Sequence, residues 1–129
     1  MNQDFMKTAR ILIVDDEPAN LKLLERLLNA HGYRNIDPVN DSRDVIAHYQ
    51  VLRPDLILLD INMPGMNGYE LLKALRADGN LKDIPVIALT ANAMPRDAER
   101  GLKAGFSAYL TKPLNVAEFF GTVDRYLAA

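Results

Sequence analysis

The sequence predicts an α/β protein in which helices cover both faces of a parallel sheet. Three unbroken aliphatic runs, residues 11–14, 56–59 and 86–89, are typical of strands buried on both faces. Amphipathic segments follow these runs, so that strand and helix patterns alternate five times along the chain. Such alternation indicates parallel strands joined by right-handed crossovers. The carboxyl ends of the strands should then meet at one edge of the sheet, where open α/β sheets bind ligands.

The bulk composition fits a single globular domain. The 129 residues are 49% hydrophobic and 25% charged, and we expect a flexible polar tail over residues 1–8 before a domain over residues 9–129. No run approaches the roughly eighteen apolar residues of a membrane span, and the first residues lack the apolar core of a signal peptide. We therefore expect a cytoplasmic protein without a membrane partner.

Charge and cysteine content exclude two further classes of function. The formal net charge of −2 comes with scattered lysines and arginines, which argues against direct binding of nucleic acid. The sequence contains no cysteine, which excludes disulfides and thiol chemistry.

The first two strand and helix pairs follow from local signals. Pro18 suits the first turn of a helix and Gly32 suits its end, with an apolar face formed by Leu21, Leu24 and Leu28. Residues 35–39 are a candidate strand, and Pro38 restricts it to the sheet edge because proline donates no ladder hydrogen bond. A short helix should follow, with a stripe formed by Val45, Ile46 and Tyr49.

The central strand ends at a carboxylate. Asp60 follows the aliphatic residues 56–59, and a segment rich in turn residues comes next, with Asn62, Pro64, Gly65 and Gly68. The backbone can fold tightly there around whatever Asp60 holds. The next helix should bury Tyr69, Leu72 and Leu75.

The last two pairs differ in how firmly their helices should be held. The strand over residues 86–89 ends at Thr90, and the helix from Pro95 has a thin apolar stripe of Met94, Ala98 and Leu102. Gly101 lies inside this helix and lowers its stability by about 1 kcal/mol relative to alanine. We therefore expect this helix to be the least stable. The fifth strand, residues 107–111, ends before Lys112. Asn115 and Glu118 form a capping-box pattern for a final helix with the stripe Val116, Phe119, Phe120, Val123 and Leu127.

The strand ends carry a set of residues suited to phosphoryl chemistry. Asp15 and Asp16 follow the first strand, so the predicted edge gathers Asp15, Asp16, Asp60, Thr90 and Lys112. Three carboxylates repel one another unless a hard cation such as Mg²⁺ relieves them. A lysine and a threonine can bind phosphoryl oxygens, and an aspartate can be the nucleophile.

Four segments are similar to the receiver domain of two-component response regulators: residues 14–17, 59–68, 89–92 and 109–113. The similarity covers residues 9–129 with the order and spacing of that family. It implies a flavodoxin-like, doubly wound sheet of five parallel strands in the order 2-1-3-4-5, with five helices. Either a stand-alone regulator or the receiver of a hybrid histidine kinase fits the resemblance.

The resemblance also implies a role for each matching residue. Asp60 would accept a phosphoryl group from a histidine kinase or a histidine phosphotransfer protein, as a signalling domain rather than an enzyme. Mg²⁺ would be held by Asp15, Asp16 and Asp60 with the backbone carbonyl of Asn62. Thr90 and Lys112 would contact the phosphoryl oxygens. Tyr109 occupies the position of the switch aromatic, the bond between Lys112 and Pro113 is typically cis, and Asn62 and Asn92 would influence the phosphoryl lifetime.

The implied output is a changed protein-binding surface around the fourth helix, the fifth strand and the fifth helix. The downstream target is unknown. We expect a monomer, and dimerisation on phosphorylation is an open alternative.

Two other classes of function fit the predicted fold less well. A Mg²⁺-dependent phosphatase with an aspartate nucleophile needs an acid/base carboxylate two residues after it, where this chain has Asn62. A flavin or nucleotide module needs a phosphate-cradling loop after the first strand, where Asp15, Asp16 and Glu17 would repel phosphate without a metal. His31 and His48 lie on predicted helices away from the strand ends and are interpreted as structural or surface residues.

Overall fold

A computed structural model describes residues 5–61, 68–77, 83–91 and 95–128. They form one five-stranded parallel sheet in the order β2-β1-β3-β4-β5, which confirms the predicted fold class and strand order. The strands are β1 (Arg10–Val14), β2 (Asn35–Val39), β3 (Leu56–Asp60), β4 (Val86–Thr90) and β5 (Ala108–Thr111). The helices that follow them are α1 (Pro18–His31), α2 (Val45–Leu52), α3 (Gly68–Ala77), α4 (Pro95–Ala104) and α5 (Val116–Ala128).

The sheet buries both of its faces, as the unbroken aliphatic runs predict. One face of the central strands packs with α2 and α3 around Leu12, Ile57, Leu59, Leu72 and Leu75. The opposite face packs with α1 and α5 around Ile13, Leu58, Leu28, Phe119 and Val123. Each fully buried leucine or phenylalanine of this kind stabilises the fold by about 1.5–3 kcal/mol.

The edge position of β2 is also confirmed. Pro38 lies opposite Ile13 in the register of β1 and β2, and β2 has no second neighbour in the sheet. A short 3₁₀ helix, Ser42–Asp44, precedes α2. Among the described helices, none is both long enough and apolar enough to cross a bilayer.

Residues 5–8 are the described part of the segment that we expect to be a flexible tail. Phe5–Thr8 forms a short helix, and Met6 is buried beside the end of α1. A Cβ atom at Gly32 would lie 2.9 Å from the sulfur of Met6, and Gly32 has a φ of +126° that favours glycine. The side chain of Met6 therefore occupies space that Gly32 leaves open, a contact that no local pattern predicts.

Two residues predicted for apolar helix faces are exposed instead. Leu102 on α4 is 52% exposed, because the helix turns Gly101 and not Leu102 toward the sheet. Val116 is 46% exposed, because it begins α5, and Phe119 and Val123 make the buried contacts further along the helix. The side chains of Met94 and Ala98, and those of Ile46 and Tyr49 on α2, lie outside the described part of the structure.

Gly101 allows a close approach between α4 and β5. A Cβ atom at this position would lie 2.6 Å from Cδ2 of Tyr109, which is shorter than any ordinary contact. Gly121 on α5 offers a contrast, because a Cβ atom there would have no neighbour within 4 Å. The glycine that the sequence indicates as a weak point of α4 is thus a packing requirement.

This contrast generates a prediction about stability. We expect Gly121→Ala to raise the free energy of unfolding by about 0.5–1 kcal/mol, because alanine favours the helix and meets open space. Gly101→Ala is expected to lower it by about 1 kcal/mol, because overpacking against Tyr109 costs more than the helix gains. Urea unfolding of the two variants measures both changes, and an equal gain at the two sites would contradict the packing role of Gly101.

A polar cluster joins the carboxyl end of α1 to α5. Oδ1 of Asp124 accepts a hydrogen bond from the hydroxyl of Tyr33, and Oδ2 of Asp124 lies 2.8 Å from Nε2 of His31. The ring of His31 also stacks on Phe120, with centroids 4.0 Å apart. Burial of Tyr33, together with its bond to Asp124, raises the pKa of its phenol well above the ordinary value of 10.0.

The raised pKa of Tyr33 predicts a loss of stability at high pH. Above pH 10 the unfolded chain releases the phenol proton whereas the folded chain retains it, so the free energy of unfolding falls as pH rises. The contribution of the Tyr33 phenol to the free energy of unfolding is fully present below pH 10. Urea unfolding between pH 8 and about 11 should show a shallower loss for Tyr33→Phe than for the wild type. Parallel pH profiles for the two proteins would contradict this account of Tyr33.

Candidate functional site

The described candidate residues meet at the carboxyl edge of the sheet. Asp15 follows β1, Asp60 ends β3, Thr90 ends β4 and Lys112 follows β5. The registers place Asp60 beside Leu89 and Thr90 beside Thr111, so neighbouring strands end at similar levels. The convergence expected from the strand pattern is therefore present in the folded chain.

Three carboxylates form the centre of the site. Ligand oxygens of Asp15, Asp16 and Asp60 all lie within 4.8 Å of one another. Asp15 is 0% exposed and Asp60 is 6% exposed, whereas Asp16 faces solvent. The backbone N–H of Glu17 donates to Oδ1 of Asp15 at 2.9 Å, which orients that carboxylate. Two buried carboxylates and one exposed carboxylate thus share a small volume.

Lys112 supplies the positive charge among the described neighbours of this cluster. Its Nζ atom donates to Oδ2 of Asp15 at 3.3 Å and lies 3.9 Å from Oδ2 of Asp60. One ammonium offsets only part of the charge of three carboxylates. The remaining negative charge and the hard oxygen donors suit a small divalent cation such as Mg²⁺, which binds one or two protein carboxylates and keeps several waters.

The ends of β4 and β5 position the other candidate residues. The backbone N–H of Lys112 donates to the carbonyl of Thr90 at 2.7 Å, and the side chain of Thr90 is buried. The peptide bond between Lys112 and Pro113 is cis, as the family resemblance implies. Tyr109 is partly buried, and its ring lies against Gly101 of α4. Thr90 and Tyr109 therefore lie on two paired strands, and Lys112 directly follows the second of them.

Two predicted residues cannot be placed. Asn62 and Asn92 lie outside the described residues, so their predicted roles stay predictions. The structure adds a contact that turn chemistry alone did not indicate: the N–H of Gly68 donates to the carbonyl of Ile61 at 3.1 Å. A Cβ atom at Gly68 would lie only 2.5 Å from Cα of Ile61. Gly68 therefore packs the start of α3 directly against the residue that follows Asp60.

An apolar cleft of about 380 Å³ adjoins the site. It lies between α1 and the start of α5, and its lining includes Leu23, Leu27, Leu114, Val116 and Lys112. Leu23 is 55% exposed, and Val116, which departs from its predicted core position, lies in the same lining.

Comparison with known proteins gives matches along most of the chain. Residues 11–124 match the family model for the response regulator receiver domain. The polar-differentiation response regulator DivK of Brucella anthropi is 42% identical over 119 residues, which cover 91% of this chain and 94% of that protein.

Solved structures resemble the whole described fold. The chemotaxis response regulator CheY4 of Vibrio cholerae has a TM-score of 0.83 and 33% identity, and the match covers 92% of this chain and 98% of that one. The receiver domain of a sensor histidine kinase from Pseudomonas aeruginosa has a TM-score of 0.83 and 36% identity, with coverage of 94% and 98%. The latter structure has a magnesium ion coordinated in its active site cleft.

The crowding of carboxylates predicts that the site destabilises the metal-free protein. In the presence of EDTA we expect Asp60→Asn to raise the free energy of unfolding by about 1–3 kcal/mol, because it removes repulsion that Lys112 offsets only in part. Urea unfolding measures the change. Glu99→Gln, which removes an exposed carboxylate from α4, should change the value by less than about 0.5 kcal/mol. A loss of stability in Asp60→Asn would contradict the repulsion argument.

Proposed function

The chain belongs to the family of response regulator receiver domains, and from this premise we propose that it accepts a phosphoryl group on Asp60. The donor would be a histidine kinase or a histidine phosphotransfer protein. The observation that carries the proposal is the position of the Asp60 carboxylate, which lies among two further carboxylates and 3.9 Å from the ammonium of Lys112. The chain acts in this proposal as a signalling domain of a two-component system.

The proposed transfer is a single displacement at phosphorus. A carboxylate oxygen of Asp60 attacks the phosphorus atom of a phosphohistidine, so that an O–P bond forms while the P–N bond breaks. The electron pair of the P–N bond stays on the imidazole nitrogen of the donor. Lys112 offsets the charge of the phosphoryl oxygens as a point charge, and the hydroxyl of Thr90 donates to one of them. Phosphoryl transfer of this kind depends mainly on positioning and charge neutralisation.

We propose Mg²⁺ as the cofactor. Asp15, Asp16 and Asp60 would hold it together with the backbone carbonyl of Asn62, because their clustered oxygens match its preference for hard donors. When bound, the ion neutralises charge between the carboxylates and the phosphoryl oxygens.

The proposed output is a change in the surface formed by α4, β5 and α5. A phosphoryl group adds negative charge and acceptor oxygens at Asp60, which should draw Thr90 and Lys112 toward it. Tyr109 links this movement to α4, because its ring lies against Gly101. The downstream partner would bind one arrangement of this surface better than the other. Asn62 and Asn92 would set how long the phosphoryl group lasts.

Intact-mass spectrometry after incubation with acetyl phosphate tests the proposal. With Mg²⁺ the wild type should gain one phosphoryl group that hydroxylamine removes, because an acyl phosphate reacts with that nucleophile. EDTA should prevent the gain. Asp60→Asn should remain unmodified while keeping its circular dichroism spectrum, and Asp16→Ala should require much more Mg²⁺ at nearly unchanged stability.

Two results would contradict the proposal. An adduct on Asp60→Asn would show that another residue is the acceptor. An unmodified wild type, with either acetyl phosphate or a phosphorylated histidine phosphotransfer protein as donor, would remove the acceptor role from Asp60.

A further inference from the structure

Tyr69 connects α3 to α4 through two contacts. The guanidinium carbon of Arg100 lies 5.1 Å from the centroid of the Tyr69 ring, which is cation–π geometry. The ring of Phe106, just after α4, meets Tyr69 edge-on with centroids 5.5 Å apart and an interplanar angle of 74°. Tyr69 is therefore the point on α3 against which the second half of α4 packs.

The position of Tyr69 is tied to the phosphoacceptor through the backbone. Tyr69 follows Gly68, whose N–H donates to the carbonyl of Ile61 and whose α-carbon leaves no room for a side chain against Ile61. Ile61 follows Asp60 directly, and its own N–H donates to the carbonyl of Leu89 at 3.2 Å. A displacement of the backbone at Asp60 and Ile61 should therefore also displace Gly68 and Tyr69.

The carboxyl end of α4 is held to α3 by hydrogen bonds. The guanidinium of Arg76 on α3 donates to the carbonyls of Gly105 and Ile84 at 2.9 and 2.8 Å, and burial lowers its pKa from the ordinary value. Such charge-assisted bonds in a partly buried place are strong. Arg100 is exposed, and cation–π contacts at exposed sites are weak. Of these described contacts between α3 and the region of α4, the one made by Arg100 is therefore the easiest to break.

We propose that Arg100 and Tyr69 are a pair of positioning residues that sets the balance between two placements of α4, and thereby the affinity of the Asp60 site for a phosphoryl group. Neither residue touches the phosphoryl group. This inference rests on the proposed function, because the placement of α4 matters only if Asp60 is the acceptor. If one placement of α4 favours the phosphoryl group, the apparent affinity for that group follows the fraction of the protein that has this placement.

Beryllofluoride, which mimics a phosphoryl group on a carboxylate, measures this affinity. With saturating Mg²⁺, Arg100→Gln and Tyr69→Leu should each change the Kd of beryllofluoride by about two- to fivefold, the range of an exposed cation–π contact. The double variant should show no further change, since both substitutions remove one contact. Tyr69→Phe and Arg100→Lys should each keep the Kd of beryllofluoride at the wild-type value, because the first retains the aromatic ring and the second retains the cation.

A matched control is available on α5. Arg125 lies over the ring of Tyr126 at 4.9 Å, in the same type of contact but with no connection to Ile61. Arg125→Gln should leave the Kd of beryllofluoride unchanged. If Arg100→Gln lowers the free energy of unfolding and yet leaves that Kd unchanged, the pair is merely structural and the proposal is overturned.

Hydrogen exchange of α4 separates failure of this inference from failure of the proposed function. Arg100→Gln should speed amide exchange over Pro95–Ala104 relative to the wild type, whereas Arg125→Gln should not. If the wild type binds no beryllofluoride with Mg²⁺, the proposed function fails and the claim about phosphoryl affinity fails with it. Unchanged exchange in Arg100→Gln would overturn the contact itself, even in a protein that is phosphorylated on Asp60.

Discussion

Repulsion between the carboxylates of Asp15 and Asp60 is the constraint on which the site depends. Both side chains are buried, and their oxygens lie within 4.8 Å of each other, so the fold holds them together against a cost in free energy. The sheet provides the rigidity for this, since both strands are packed on two faces. Lys112 relieves part of the repulsion, and a cation or a phosphoryl group with its metal can relieve the rest. The divalent cation proposed above would lower this cost by offsetting the charge of the carboxylates.

Two glycines, Gly68 and Gly101, have different roles in the structure from those that the sequence indicates. In the sequence, Gly68 is a turn residue and Gly101 is a defect in a helix. In the structure, the backbone of Ile61 approaches Gly68 and the ring of Tyr109 approaches Gly101 more closely than a Cβ atom would permit. Gly68 fixes α3 to Ile61, the residue after Asp60, and Gly101 lets the ring of Tyr109 lie against α4. Both contacts depend on the absence of a side chain at the glycine.

In the proposed function, a change at Asp60 alters the surface of α4 through the contacts that hold this helix in place. Bonds from Arg76 fix the carboxyl end of the helix, while contacts from Tyr69 and Tyr109 approach it from α3 and β5. In the proposed function α4 takes either of two placements, and these contacts influence which one is favoured. Population shift between such placements requires only a modest difference in contact energy. The matched family model and the relatives named above are response regulators, in agreement with the proposed function.

The sequence by itself determined the parts of the protein that depend on local patterns. Buried strands were evident because their aliphatic runs lack alternation, α1 was bounded by Pro18 and Gly32, and Pro38 restricted β2 to the edge. Asp60 was identified because it ends a buried strand, and the family resemblance supplied the strand order. Only the tertiary structure decided which face of α4 is buried, where Met6 packs, and which oxygen of the predicted carboxylate cluster accepts from Lys112, namely Oδ2 of Asp15. These features depend on the rotation and placement of whole elements, which long-range packing sets and which no short stretch of sequence encodes.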